Sequence, residues 1–503
     1  MNRFFTLVIT FILLMLFNTS IEKGVKAASN YEQEPNDEMK SATNIELNTT
    51  YSGYSNFRTS GSWGSHIGDF DYFKFTLDKP GKVTLSMKNN EDYTWSFLLT
   101  DSNNKQFIDA DTENGVKVTD QNISHTTRSV GLPAGTYYVR VYGNYGEMEK
   151  IPYELTVGFK PSSRYEQEPN DEMKLATSIE LNTTYTGYSK YLSSGSWGSH
   201  IGDFDYFKFT LEKPGKVTLS MKNNEDYTWS FLLTDSNNKK FIDADTENGV
   251  KVTDQNISHT TRTVGLPAGT YYVRVYGNYG EMEKIPYELT IGFKPSSRYE
   301  QEPNDEMKLA TNIELNTTYT GYSKYLSSGS WGSHIGDFDY FKFKLDKSSE
   351  VTVSMNNHED YTWSFLLLDP NNKKFIDAKT ENGTKIGNKK STNKSVSLPA
   401  GTYYVKVFGN YSEMEEIPYS LLVKKSILLT INKVTNKTTS ITGKTEENAN
   451  VEVKIGNKLL GKAKSDSKGN YKVKIKAQKK GTKLTVIARD KDKNEKTITT
   501  TVK

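Results

Sequence analysis

The sequence contains no cysteine, which excludes disulfide bonds, thiolate metal sites, a cysteine nucleophile and a lipoprotein anchor. It also contains no G-x-S-x-G nucleophile elbow, no P-loop and no G-x-G-x-x-G fingerprint. The overall charge has little excess of either sign, because 64 Lys and Arg stand against 61 Asp and Glu. A length of 503 residues suits three or four domains of ordinary size. A single compact enzyme is therefore not expected.

A ten-residue stretch, YEQEPNDEMK, occurs three times at equal intervals, beginning at Tyr31, Tyr165 and Tyr299. Regular recurrence of this kind indicates that each copy opens one structural unit. We therefore expect five segments, namely a signal peptide at 1–27, repeats at 28–164, 165–298 and 299–425, and a last domain at 426–503.

Each repeat shows the patterns of short β-strands. Apolar and polar residues alternate in DYFKFTL (71–77) and KVTLSM (82–87), which a Lys-Pro-Gly turn separates, and this pair predicts a hairpin with one buried face. TWSFLLTD (94–101), GTYYVRVYG (135–143) and YELTVGF (153–159) supply further strands. The predicted fold class is all-β, with three tandem jelly-roll-like β-sandwich modules followed by one Ig-like β-sandwich.

The N-terminal segment has the features of a secretory signal. Arg3 precedes an apolar run from Phe4 to Phe17, shorter than the ~20 residues that span a bilayer, and Val25-Lys26-Ala27 forms an A-x-A-like cleavage site. We expect a protein that is secreted and extracellular or loosely associated with the cell wall, with no integral membrane span after cleavage. The alternative is an uncleaved membrane anchor.

The motifs EQEPND, GDFDYFKF, PAGTYYVRVYG and a final YELTV recur in this order in residues 31–425. In this order they resemble the bacterial pre-peptidase C-terminal domain, whose relatives include the collagen-binding domains of clostridial collagenases. The resemblance implies a jelly-roll sandwich that accompanies secreted proteases and binds structural Ca²⁺ where its N-terminal linker meets the sheet. The ligands it implies in the three repeats are Glu32, Glu34, Asn36, Asp37, Asp69 and Asp71, then Glu166, Glu168, Asn170, Asp171, Asp203 and Asp205, and then Glu300, Glu302, Asn304, Asp305, Asp337 and Asp339.

The linker residues support the same assignment on chemical grounds. An extended backbone places Glu32, Glu34 and Asn36 on one side, and Ca²⁺ takes six to eight oxygen ligands in flexible geometry. Carboxylates that converge without a cation would repel one another. The alternative is a solvated acidic linker whose charges never meet.

The strand GTYYVRVYG and the turn after it predict a partner-binding face. Aromatic and arginine side chains that project from one side of a strand give a large contact area at low entropic cost. The alternative is that this face packs under a loop. The residues predicted to bind a partner are Tyr138, Arg140, Tyr142 and Tyr145, then Tyr272, Arg274, Tyr276 and Tyr279, and then Tyr404, Lys406, Phe408 and Tyr411.

The last segment, 426–503, carries 19 Lys and Arg against seven Asp and Glu. Its motifs at 443–451, 466–471 and 488–494 resemble the bacterial Ig-like domains of secreted and surface proteins, which implies a spacer or an adhesive module. Lysines alternate with apolar residues in YKVKIKAQKK (471–480), so one sheet face is cationic. Such a face can attract a cell-wall polyanion, or nucleic acid non-specifically, and the alternative is a solvated surface that discourages edge pairing.

Together these features predict a secreted, non-catalytic, multi-module binding protein that is stabilised by calcium. Its expected partner is an extracellular polymer such as collagen-like protein, cell wall or matrix, because tandem weak sites can raise affinity by about 10²–10⁴. The alternatives are an accessory or targeting protein of a secreted peptidase system, and a structural spacer of the cell envelope or biofilm matrix.

Overall fold

A computed structural model describes residues 30–54, 70–88, 95–110, 125–143, 152–188, 204–222, 229–244, 259–277, 285–322, 338–356, 363–378, 391–409, 417–491 and 494–503. The predicted signal peptide lies outside the described residues. The chain divides into two compact units, one containing the first module and part of the second and the other containing the rest.

The first module is a sandwich of two sheets. Strands β1, β3, β8, β5 and β6 form one sheet in that order, and β2, β9, β4 and β7 form the other. All the pairs are antiparallel except β1 with β3. The strands are β1 (Thr43–Asn44), β2 (Thr50–Tyr54), β3 (Asp71–Leu77), β4 (Gly81–Lys88), β5 (Ser96–Asp101), β6 (Gln106–Ala110), β7 (His125–Leu132), β8 (Gly135–Tyr142) and β9 (Pro152–Pro161).

The predicted hairpin between the segments at 71–77 and 82–87 is wrong. Strand β3 pairs with β1 and β8, whereas β4 pairs with β7 and β9 in the opposite sheet. The turn at Pro80 therefore passes the chain from one sheet to the other. Alternation shows which side of each strand is buried, but it does not show which strands pair. Two strands that face each other across the core alternate in the same way as two strands of one hairpin.

The core of the first module fills the space between its two sheets. Phe73, Phe75 and Leu77 of β3 meet Val83, Leu85 and Met87 of β4 in one cluster, and each of these side chains is almost fully buried. Trp95 packs against the Tyr153 ring with 5.1 Å between the ring centroids. Burying each large apolar side chain contributes about 1.5–3 kcal/mol.

The second module repeats this strand sequence. Its strands β12, β17, β14 and β15 lie side by side in one sheet, and β18, β13 and β16 lie in the other. The strands are β10 (Thr177–Ser178), β11 (Thr184–Gly187), β12 (Asp205–Leu211), β13 (Gly215–Lys222), β14 (Ser230–Asp235), β15 (Lys240–Ala244), β16 (His259–Leu266), β17 (Gly269–Tyr276) and β18 (Tyr287–Pro295).

The third module has the same two sheets, with the orders β19-β21-β26-β23-β24 and β20-β27-β22-β25. Its strands are β19 (Thr311–Asn312), β20 (Thr318–Tyr322), β21 (Asp339–Leu345), β22 (Ser349–Asn356), β23 (Ser364–Leu368), β24 (Lys374–Ala378), β25 (Ser391–Leu398), β26 (Gly401–Phe408) and β27 (Pro418–Ser426).

The last domain packs a two-stranded sheet, β28 with β31, against a four-stranded sheet of order β30-β29-β32-β33. Ile441, Val451, Val473 and Val486 are fully buried between them. The strands are β28 (Ser440–Lys444), β29 (Asn450–Ile455), β30 (Lys458–Lys464), β31 (Asn470–Lys474), β32 (Lys483–Arg489) and β33 (Glu495–Thr501).

Helical structure in the described part of the chain is confined to short 3-10 turns at Met39–Ser41, Met173–Leu175 and Met307–Leu309. No helix in the described ranges is long and apolar enough to cross a membrane. The predicted all-β fold of tandem sandwich modules is confirmed.

Candidate metal sites and aromatic face

The first acidic linker lies at the edge of the sandwich and contacts both sheets. Tyr31 forms a parallel bridge with Ser52 of β2, and the Glu32 amide donates to the Ser52 carbonyl at 3.0 Å. Further along, the Asn36 carbonyl accepts a hydrogen bond from the amide of Tyr72 in β3, also at 3.0 Å. The backbone alone therefore places the linker side chains beside the start of β3.

Three of the predicted ligands of the first module come together. Glu32, Glu34 and Asp71 each bring a carboxylate oxygen within 4.8 Å of the others. The Tyr153 hydroxyl lies 2.9 Å from Glu32 Oε2 and 2.8 Å from Asp71 Oδ2, and it can donate to either. The other Glu32 oxygen accepts from the Tyr54 amide at 2.6 Å.

Asn36 adds a buried oxygen to this cluster. Its side chain is fully buried, hydrogen-bonds to Glu32 and lies 3.4 Å from Thr43 Oγ1 through Nδ2, whereas its Oδ1 accepts no hydrogen bond. The Oδ1 atoms of Asn170 and Asn304 are also buried and accept no hydrogen bond. Leaving a buried acceptor unsatisfied costs about 1–3 kcal/mol. Three carboxylates and an amide oxygen suit a calcium ion, so the residues present fit the implied metal.

Electrostatics in the first cluster also favour a cation. Burial raises the pKa of Glu32 above its ordinary value, and the nearby charge of Glu34 raises it further, while hydrogen bonds from Tyr54, Tyr153 and Asn36 oppose the shift. Burial and then the charges of Asp71 and Glu32 raise the Tyr153 pKa well above its ordinary value. A cation would relieve this unfavourable concentration of negative charge.

The third module repeats the tyrosine and linker hydrogen bonds of the first. The Tyr419 hydroxyl lies 2.7 Å from Asp339 Oδ2 and 3.4 Å from Glu300 Oε2. The Glu302 carboxylate accepts from the Asn304 amide at 2.9 Å, as Glu34 does from Asn36 at 3.0 Å. In the second module Glu168 accepts from the Asn170 amide at 2.9 Å, and Asp205 is fully buried at the start of β12.

The remaining predicted ligands lie elsewhere or outside the described residues. Asp37 is exposed, while Asp171 and Asp305 accept ion pairs from Lys105 and Lys239 at 2.8 and 3.4 Å. Asp69, Asp203 and Asp337 lie outside the described residues. The tyrosine hydroxyl of the cluster was not predicted from the sequence, although the tyrosine that opens the motif YELTV was a signal for it.

The predicted aromatic face lies on the outer side of the five-stranded sheet. In β8, Tyr137, Val139 and Val141 are buried, whereas Tyr138, Arg140 and Tyr142 are half-buried. The Arg140 guanidinium lies 4.8 Å from the Phe70 ring centroid and 5.3 Å from that of Tyr142.

Phe70 and Tyr142 meet edge to face at 6.0 Å. Arg140 also borders a shallow cavity of about 220 Å³ next to Tyr72 and Leu98.

The other two modules carry related groupings. In the second, the Arg274 guanidinium lies 5.3 Å from the centroid of the Tyr276 ring. In the third, Lys406 Nζ lies 3.4 Å from the Phe338 centroid, and Phe338 meets Phe408 edge to face at 6.1 Å.

Tyr138, Tyr272 and Tyr404 are half-buried on the same strands. Tyr145, Tyr279 and Tyr411 lie outside the described residues.

Comparison with known proteins confirms the class of the last domain. Residues 428–503 match the family model of the bacterial Ig domain. The cell wall-associated protease of Bacillus subtilis (strain 168) is 46% identical over 66 residues, which make up 13% of this chain and 7% of that protein. This chain therefore spans only a small part of that relative's length.

Two solved structures are also similar to this chain. The pre-peptidase C-terminal domain of collagenase from Bacillus anthracis is 20% identical, covers 23% of this chain and 94% of its own, and has a TM-score of 0.18. The BSP domain of a biofilm-associated protein is 12% identical, covers 92% of this chain and 98% of its own, and has a TM-score of 0.15. The resemblance of the last domain to bacterial Ig-like domains is thus matched by the family model.

Proposed function

We propose that this chain is a secreted, non-catalytic binding protein that attaches to an extracellular polymer through the outer faces of its three modules. Collagen-like protein, cell wall and matrix are the candidate polymers. One observation carries the proposal: a cation packed on aromatic rings recurs on the outer face of each module, with Arg140, Arg274 and Lys406 as the cations.

The physical properties of this face support binding. Half-buried aromatic rings that already pack against a cation lose little conformational freedom when a partner covers them. The same face in three tandem modules allows weak contacts to add up along an extended polymer. Calcium in the linker sites would support this arrangement by fixing each linker against its own module, and we include it in the proposal.

Binding of the purified chain to collagen, isolated cell wall and nucleic acid, each with calcium and with chelator, tests the proposal. The triple variant Tyr142→Ala, Tyr276→Ala and Phe408→Ala should weaken polymer binding by at least about tenfold. The matched control is Ser86→Ala, Ser220→Ala and Ser354→Ala, which alters the outer face of the other sheet and should leave binding unchanged. Equal binding by both variants, or binding to none of the polymers, would favour the spacer alternative.

A second candidate function belongs to the last domain. Lys464, Lys472 and Lys474 are exposed and form no ion pair within the described residues, and Lys464 and Lys472 border a polar cavity of about 500 Å³. This surface suits a cell-wall polyanion held by salt-sensitive attraction. Changing Lys464 and Lys472 to Gln should reduce binding to cell wall at low salt, while the same change at Lys433 and Lys437 provides a charge-matched control.

A further inference from the structure

The three linkers differ in how much of their surface is covered. In the first module Tyr54 is 45% exposed and Glu34 is also exposed. Their counterparts in the second module are nearly buried, with Tyr188 at 7% and Glu168 at 1%. The third linker is similar to the second, because Tyr322, Glu300 and Glu302 are all at most 8% exposed.

The preceding module provides this cover. The amide of Glu168 donates to the carbonyl of Gly131, in edge strand β7 of the first module, at 3.1 Å. At the next junction the amide of Glu302 donates to the carbonyl of Gly265, in edge strand β16, at 3.0 Å. The ion pairs of Lys105 with Asp171 and of Lys239 with Asp305 lie at the same two junctions.

Glycine is required at both docking points. A Cβ at Gly131 would overlap the backbone oxygen of Glu166, and a Cβ at Gly265 would overlap that of Glu300. The equivalent register position in the third module, where no acidic linker follows, is Ser397: it pairs with Glu350 as Gly131 pairs with Lys82. A side chain at this position is therefore compatible with the module fold.

We propose that Gly131 and Gly265 are positioning residues for the cation site of the following module, so that cation binding by the second and third linkers is coupled to their docking. The more exposed first linker binds a cation without such docking. This inference rests on the cation role given to the linkers above.

Coupling follows from burial and charge. The first two glutamates of each docked linker are at most 3% exposed, namely Glu166, Glu168, Glu300 and Glu302. Water therefore cannot compensate their negative charge, and a cation in that environment is attracted more strongly than at an exposed site. The buried Asn170 and Asn304 Oδ1 atoms, which accept no hydrogen bond, add a neutral ligand at each docked site. By linkage, docking must strengthen cation binding by the same factor by which the cation strengthens docking.

Calcium titration of the full chain by calorimetry tests this inference. The wild type should show two tight sites and one weaker site. Gly131→Ala should weaken one tight site by about tenfold, a size usual for coupled sites. Ser397→Ala is the matched control and should change none of them.

Lys105→Glu gives a second route to the same outcome, because it removes an exposed junction contact without touching the core of the first module. It should weaken the same tight site, and limited proteolysis should cut the second linker faster in both variants, even with calcium present. If the chain binds three calcium ions and neither substitution changes their affinity, the coupling is wrong but the linkers still bind cations. A wild type that binds no calcium would overturn both.

Discussion

The Tyr153 hydroxyl lies within hydrogen-bonding distance of both Glu32 and Asp71. Replacing Tyr153 with Phe removes this donor while keeping the buried ring that packs on Trp95. We expect the first module to lose about 1–3 kcal/mol of unfolding free energy, the usual cost of depriving a buried acceptor of its donor.

Denaturant unfolding in chelator measures this loss. Tyr72→Phe, which changes a half-buried tyrosine on the outer face, provides the control and should have little effect. Equal stability of the two variants would contradict the role of the Tyr153 hydroxyl.

Glu32 gives the first module a dependence on pH. Since burial raises its pKa, the folded state holds this proton more tightly than the unfolded chain. The stability from this carboxyl is therefore fully present below its unfolded pKa and is lost as pH rises through the raised folded pKa. In chelator, Glu32→Gln should become more stable relative to the wild type as pH rises from about 4 to 7.

Calorimetric melting at several pH values tests the Glu32 prediction, with Glu46→Gln as an exposed carboxylate control. With calcium present the order should reverse at neutral pH, because Glu32→Gln removes a ligand charge. A constant difference between variant and wild type at all pH values would rule out the assigned cause.

At the scale of elements, alternation along β4 separates core from surface. Leu85 is fully buried, whereas its neighbour Ser86 is half-buried on the outer face. Leu85→Ala should cost about 2–5 kcal/mol of unfolding free energy, as large-to-small changes in a packed core do. Ser86→Ala should stay within about 0.5 kcal/mol, as surface changes usually do.

Urea unfolding followed by tryptophan fluorescence distinguishes the two outcomes. Similar losses for the two variants would mean that the faces of β4 are assigned the wrong way round.

Strand pairing is the part of the fold that could not be predicted from the sequence. The burial of Phe73, Phe75 and Leu77 could be predicted from alternation, and the structure confirms it. Which strands become neighbours could not, because β3 and its partner β8 are distant in sequence. Periodicity carries no information about such long-range hydrogen bonding.

At the scale of the whole molecule, the third module is adapted to the last domain within the same compact unit. Lys347 forms an ion pair with Glu446, and Glu350 forms one with Lys496. Glu350 occupies the position of Lys82 in the first module and Lys216 in the second. Its partner across the strands is Ser397, the counterpart of Gly131 and Gly265. The divergence of the third repeat near residues 347–350 thus coincides with its contacts to a different neighbour.

Chelation should affect the thermal stability of the three modules but not that of the last domain. We expect removal of calcium to lower the melting temperature of the three modules, because a ligand that binds only the folded state stabilises it. The transition of residues 426–503 should stay unchanged, since that segment contains no copy of the acidic linker YEQEPNDEMK. Differential scanning calorimetry of the full chain with calcium and with chelator measures both transitions. If no melting temperature changes with calcium, the metal assignment is wrong.

The sequence by itself determined the all-β class, the three repeats, the Ig-like last domain and the linker carboxylates, because these depend on local composition, periodicity and motif order. The tertiary structure decided that Asp71 and Tyr153 join Glu32, that the turn at Pro80 links two sheets, and that Gly131 receives the next linker. Each of these depends on residues far apart in the chain, which only the packing of two sheets and of successive modules brings together.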